Sequence, residues 1–434
     1  MDCVERLPFR KNGEKRIMVE ILSVFLFMFL FIYILKIMRD KTNLVNPGFI
    51  FLIIWCAIFV LYSLSLYNMY TVPDSTLSIL FLGVVSTVIG ILFGEKYSIK
   101  RSRKIDKDIS TKAYFACSAL LAVILVATAC NSISLLLSGV SLGSIRYMER
   151  GSVLNSGLID ILYNYYAVPM GYLLIHVNIN SLFKEGKSKK IYIISTVFIA
   201  VTTILTEAGR FIIYFIAIDA LVLYFAHNKK LFSSNPKVKK YVRLIVIACV
   251  VGFIYITTNR GSDVYKTLYT YLCGCVPYFD NKINHFNSNY DHTFVFASLN
   301  GFIRPVTVIF NKFIGLPVLS IVNAVEDILL DIEMNHQLIA PSVVYNGFAS
   351  MFYTFYVDLG IIGVIFYSFI FGCFAGSAYK NMVNKRTEKS MIFYLIMIQA
   401  VSISMMRFYF ASFNFALTVV YLQILYSKKS MDEY

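Results

Sequence analysis

The sequence predicts an all-α fold, a polytopic bundle of transmembrane helices, on three observations. First, the chain of 434 residues is 58% hydrophobic and only 15% charged, with a mean hydropathy of +0.68. A water-soluble globule of this length cannot bury so much apolar surface. Second, apolar runs of about 20 residues, the length that crosses a bilayer as a helix, recur along the chain. Third, the lysines between those runs gather in short segments that share one side of the bundle.

Windows of about 19 residues place the spans near 18–38, 48–68, 75–94, 113–137, 157–179, 191–206, 210–227, 241–258, 355–378, 390–406 and 411–427. That is eleven spans, or twelve if an early one is missed, and residues 1–434 form a single integral membrane domain. The first run is too long for a signal-peptide core and lacks a small-residue cleavage pattern, so it is expected to be retained. The basic segments 95–112, 184–190, 229–240 and 380–390 mark the cytoplasmic side. Anionic inner-leaflet lipid therefore accounts for the net charge of +15, and no nucleic-acid partner is expected. With eleven spans the N-terminus falls outside, although "RLPFRKNGEKR" (6–16) is basic. Either the count is short by one or the native start is Met18, not Met1.

The opposite side carries a loop around 138–156, a turn at Glu207 to Arg210, a turn at Arg407 and a segment of 259–345. The last is far longer than the usual connection and is expected to form a helical cap outside the membrane. It is also apolar, as in "DVYKTLYTYLCGCVPYF" and "GFIRPVTVIFNKFIGLPVLSIV", which suggests amphipathic helices lying on the membrane or lidding a cavity. Most of the eight cysteines sit in apolar runs and behave as small hydrophobes; Cys273 and Cys275, flanking one glycine, read as structural.

Cations on this side are largely arginine: Arg146, Arg150, Arg210, Arg260, Arg304 and Arg407, against Lys266, Lys282 and Lys312. They run against the positive-inside rule and need a local reason. The rigid guanidinium fork matches phosphate oxygens in bidentate fashion, so arginines converging from several loops suit a pyrophosphate. The alternative for each is a nearby acid, Glu207 for Arg210 or Asp263 for Arg260.

Short motifs then add a resemblance. "NPGFIF" (46–51) before the second span, "SIRYMERG" in an outer loop, "TEAGRF" opening a span, "YLCGCVPYFD" early in the long loop and "NGFASMFYTFYVDLGIIGVIFYSFIFG" on re-entry make residues 46–425 similar to the Wzy-type oligosaccharide repeat-unit polymerases of O-antigen and capsule. The resemblance implies a multi-pass glycosyltransferase of the bacterial cytoplasmic (inner) membrane, acting in capsule or lipopolysaccharide biosynthesis. It would join undecaprenyl-pyrophosphate-linked oligosaccharides, one as donor and one as acceptor, on the outer face. Membrane lipid, a chain-length regulator and a flippase are the partners it implies. It also implies pyrophosphate contacts for Arg146, Arg210, Arg260 and Arg304, a match for Asp280 at the end of "YFD", and close-packed glycines at Gly360 and Gly363 after Asp358.

The chemistry can be argued from the residues as well. Cleaving a sugar–pyrophosphate bond builds charge on the departing phosphate, which preorganised guanidinium groups stabilise without a metal. The acceptor hydroxyl must lose a proton, so a carboxylate or imidazole should act as general base. Glu207, Asp280, Asp291, His292 and His336 are the candidates, with a solvated loop histidine as the alternative for His292 and His336. In "EDILLDIE" (326–333), Asp327 and Asp331 share a helical face, but any amphipathic helix has that spacing on its wet side, so no metal and no cofactor are expected. An O-antigen ligase differs only in its acceptor. A lipid-linked oligosaccharide flippase or other transporter should show internal repeats and charge within the spans, of which the sequence offers almost none.

Overall fold

The computed structural model describes residues 17–40, 45–97, 109–140, 158–183, 189–207, 211–227, 264–341, 343–345 and 348–426. Nearly all of them are helical. In chain order the helices are α1 (Ile17–Asp40), α2 (Pro47–Ser63), α3 (Asp74–Lys96), α4 (Thr111–Leu137), α5 (Leu158–Leu162), α6 (Val168–Phe183), α7 (Lys189–Glu207) and α8 (Phe211–His227). A π turn, Tyr163–Ala167, joins α5 to α6. Then follow α9 (Val264–Cys273), α10 (Cys275–Asn289), α11 (Phe296–Ile314), α12 (Ser320–Met334), α13 (Met351–Lys385), α14 (Glu388–Ser402) and α15 (Phe413–Leu425). A helix occupies every predicted span that falls within the described residues; the stretch 241–258 lies outside them. Four helices, α1, α3, α4 and α13, are long and apolar enough to cross a membrane, and α2, α7, α8 and α15 are shorter apolar helices.

One expectation is corrected. The 259–345 segment is not wholly helical: β1 (Gln337–Ala340) and β2 (Val343–Tyr345) pair antiparallel with a bulge between Leu338 and Ala340. Ile339, Val343 and Val344 are β-branched, and Pro341, which cannot donate to a ladder, sits in the turn between the strands. The Ile339 carbonyl also accepts from Tyr70 N at 2.9 Å, tying the hairpin to the connection before α3.

Two features hold the bundle in register. Along the α3–α13 contact, Gly90 and Gly94 face Gly372 and Gly376. A Cβ on Gly90 would lie 2.2 Å from the Phe369 carbonyl oxygen, one on Gly94 2.2 Å from that of Cys373, and one on Gly376 2.1 Å from that of Ile91. Glycine alone permits this backbone approach, the small-xxx-small packing of membrane helices. At one end of this seam, Glu95 accepts from Lys36 Nζ (2.6 Å) and Asn46 Nδ2 (2.7 Å), and Tyr33 Oη donates to Asn46 Oδ1 at 2.8 Å. The Asn46 side chain also accepts from Gly48 N and so caps α2. The "NPGFIF" motif is thereby accounted for: asparagine caps, proline opens the helix, and a Cβ on Gly48 would lie 2.4 Å from Tyr33 Oη.

Helix α6 is buried on every side, and α14 nearly so. They form the centre of the bundle. The 264–345 helices pack at the end opposite Glu95, where α2 finishes and α3 and α13 begin: Tyr269 Oη donates to Leu61 O, and Thr76 Oγ1 donates to Asp280.

Candidate functional site

Helix α10 is amphipathic. Cys275, Val276, Tyr278, Phe279, Ile283 and Phe286 are buried, while Asp280, Asn284 and Asn287 follow one another along the opposite face. Asp280 Oδ1 accepts from Thr76 Oγ1 at 2.5 Å, and its other oxygen lies 3.5 Å from Asn284 Nδ2. Burial pushes the Asp280 carboxyl above its ordinary range, and the Thr76 hydrogen bond pulls it partly back. Asn287 Nδ2 donates to Tyr356 Oη at 3.1 Å. Beyond Asn287 the exposed His292 packs between Phe286 and Tyr356, ring centroids 5.4 and 6.0 Å away. Its Nδ1 is 3.2 Å from the Val357 carbonyl, which can only accept. With the Val357 carbonyl as acceptor, Nδ1 is the donor, so the tautomer that fits this contact carries its proton on Nδ1 and leaves Nε2 as an acceptor. The result is a strip of carboxylate, amides, phenol and imidazole, walled by aromatic rings.

The strip is fixed to the start of α13. Asp358, fully buried, accepts from Thr293 Oγ1 (2.7 Å) and from the amides of Ala297 and Ser298 (2.9 Å each), so it caps α11. Presenting it there requires a break in α13 at Leu359 and Gly360, where Gly360 takes φ +60 and ψ −142, a conformation open to glycine alone. A Cβ on Gly363 would lie 2.2 Å from the Phe355 carbonyl oxygen. "DLGIIG" thus builds the junction against which His292 rests.

Two of the predicted arginines are described. Arg304, buried in α11, is held by the Glu326 carboxylate of α12, with its guanidinium 5.9 Å from the Phe413 ring centroid. It clasps α11 to α12 and is not an open anion contact. Arg407, in the turn after α14, lies 5.9 Å over the ring of Phe211, the chain neighbour of Arg210. That turn is pinned to α13 by Met351 N donating to Ser404 O at 2.7 Å. Arg407 and the strip therefore share the first turns of α13. Arg146, Arg150, Arg210 and Arg260 lie outside the described residues. Glu207 closes α7, and His336 is exposed between α12 and β1, where Asn335 and Leu338 on either side accept from Tyr278 and Asn281 of α10.

On the acidic helix face at 326–333, Glu326 holds Arg304 and Asp331 holds Lys282. Lys282, fully buried on α10, donates to Asp331 Oδ2 (2.6 Å) and to the Asp331 carbonyl (2.9 Å). Burial pulls the Lys282 ammonium below its usual range, and Asp331 partly restores it. Cys273 and Cys275 are buried in the same core; burial pushes the Cys273 thiol up to about 12 and Cys275 higher still, so neither is poised for thiolate chemistry.

Sequence reasoning missed a second polar system. His176 of α6 and Asp219 of α8 meet at 2.6 Å with both side chains buried. Asp219 also accepts from Gln399 Nε2 at 2.9 Å, and Gln399 Oε1 accepts from Tyr409 Oη at 2.9 Å. A continuous chain runs from the Arg407 turn into the bundle, ending at His176 Nε2, which has no partner among the described residues. Single polar letters in apolar runs hid it, and the expectation of almost no charge within the spans is corrected here. The available signal was the rule that an ionisable residue inside a span marks function. Asn284, Asn287 and Tyr356 gave no signal, because amides and tyrosines are ordinary in a loop. No protein-family model matches the chain, and no curated protein or solved structure is similar to it.

Proposed function

We propose that the protein is a membrane glycosyltransferase that polymerises polyprenyl-pyrophosphate-linked oligosaccharide repeats on the outer face of the bacterial cytoplasmic membrane. In this reading 241–258 completes eleven spans and 264–345 caps the outer end. The observation that carries it is the strip Asp280–Asn284–Asn287–Tyr356–His292. Amide and carboxylate side chains at helical spacing, backed by aromatic rings, match the hydroxyls and apolar faces of sugar rings. Mere solvation would not require His292 to be held in one tautomer.

The acceptor hydroxyl oxygen attacks the anomeric carbon of the donor sugar while the carbon–oxygen bond to the pyrophosphate breaks. The hydroxyl proton passes to His292 Nε2, with Asp280 as the other base within the strip. The electron pair leaves on the polyprenyl pyrophosphate. Arg407, together with Arg146, Arg150, Arg210 and Arg260, would stabilise that charge.

The test is polymer laddering in cells that supply the lipid-linked repeat. His292→Gln is expected to reduce long polymer about 100-fold or more at normal protein level, the usual range for a lost general base. Unchanged ladders in both His292→Gln and Asp280→Asn would sink the reading. A second reading, a flippase for the same lipid-linked glycan, is favoured by the buried His176–Asp219 pair. Deleting a polymerase leaves single repeats on lipid at the outer face; deleting a flippase leaves them inside. A ligase would leave finished polymer on its carrier.

A further inference from the structure

Helix α11 is rooted at one end and unsupported at the other. Phe294, just before it, accepts from Tyr367 Oη of α13 at 2.7 Å, and a Cβ on Gly301 would lie 2.2 Å from the Phe410 carbonyl oxygen. Arg304 and Pro305 are still buried, but every residue from Ile309 to Pro317 is exposed. The exposed side chains are large and apolar: Val306, Ile309, Phe310, Phe313 (76% exposed), Ile314 (62%) and Leu316. Gly315, at φ +74, ends the helix and turns the chain back towards α12. Between 305 and 325 there is no acidic residue and a single cation, Lys312.

The root seats the start of α11 against a helix of membrane-crossing length. Tyr367 follows directly on the outward-facing apolar band of α13 formed by Ile361, Ile362, Ile365 and Phe366. Helix α11 also crosses the first turn of α15, where Gly301 meets Ala416. The exposed apolar tip therefore belongs to a helix that starts beside the exposed apolar band of α13. Its charge fits as well: one lysine amid aromatic and aliphatic side chains, with no carboxylate, complements lipid phosphate.

We infer that the tip at 306–319 inserts into the adjacent membrane leaflet, with Lys312 at the phosphate level, and so anchors the 264–345 segment to the lipid surface. This holds whatever substrate the protein takes. Interfacial helices of this kind bury their apolar face about 5–10 Å deep, at the boundary between headgroups and acyl chains.

The chain has one tryptophan, Trp55, which is fully buried. In vesicles of phosphatidylcholine and phosphatidylglycerol brominated near the glycerol end of the acyl chains, parent emission should change little. Phe313→Trp, at an exposed site that tolerates the ring, should add emission that the brominated chains quench, as expected for a ring at that depth. Raising the phosphatidylglycerol share should deepen the quenching, and adding Lys312→Gln should abolish that dependence. Absence of quenching in Phe313→Trp overturns the anchor. Emission that responds instead to the protein-to-lipid ratio would assign the tip to a contact between copies and overturns it equally. An unchanged phosphatidylglycerol dependence in the Lys312→Gln variant overturns the phosphate contact.

Discussion

Asp280 is a carboxylate that the fold half-hides. Burial holds its pKa above the 3.8 of a free aspartate, so the native state keeps the proton longer than the unfolded chain. The stability it contributes is fully present below pH 3.8 and is lost as pH rises through the raised value. Asparagine cannot ionise and escapes that loss. Thermal unfolding of Asp280→Asn in detergent should therefore gain on the parent as pH climbs from below 4 to neutrality; a gap that stays constant across this range would contradict the burial argument. The same residue shows what one sequence can disclose. The acid at the end of "YLCGCVPYFD" was visible as a candidate, but its partner Thr76 lies 204 positions away and nothing local announces it. His292 was legible as a possible base and not as a fixed tautomer, because the Val357 carbonyl that fixes it belongs to another helix.

Hydrophobic runs of bilayer length disclosed the helices well, since a backbone surrounded by apolar side chains has little choice but helix. What the runs concealed is how helices break and pair. Helix α13 reads as one long segment, yet the Leu359–Gly360 break is what lets Asp358 cap α11. The short hairpin at 337–345 was hidden for the converse reason: strands of three or four residues are too brief for alternation to register. The α3–α13 seam makes the strongest prediction at this scale. Gly376→Leu would force a side chain into the Ile91 carbonyl, and overpacking of this kind costs about 3 kcal/mol or more. The variant should melt earlier in detergent and lose the Ser377–Gly94 contact; an unchanged melting temperature would mean that the two helices are not in intimate contact.

Across the molecule, the 264–345 segment shares one continuous core with the bundle, and within it the buried Lys282 pairs with the partly buried Asp331. Lys282→Ala would strand the Asp331 carboxylate and should cost about 3–5 kcal/mol, whereas Lys282→Met combined with Asp331→Leu should recover most of that. Protease protection of the segment in detergent would distinguish the two; equal sensitivity would show that the pair contributes little. The glycine seam has a consequence of its own. Thr76, which holds Asp280, stands in the first turn of α3, and Val357, which holds His292, stands in the first turns of α13. The seam packs α3 against α13 on one side of the Leu359–Gly360 break, and Gly83 packs against Phe352 on the other, so the residues that hold the two candidate bases stand on one closely packed helix pair. A side chain added at any of the four seam glycines would part the two helices and so disturb the carboxylate and the imidazole together, although it touches neither.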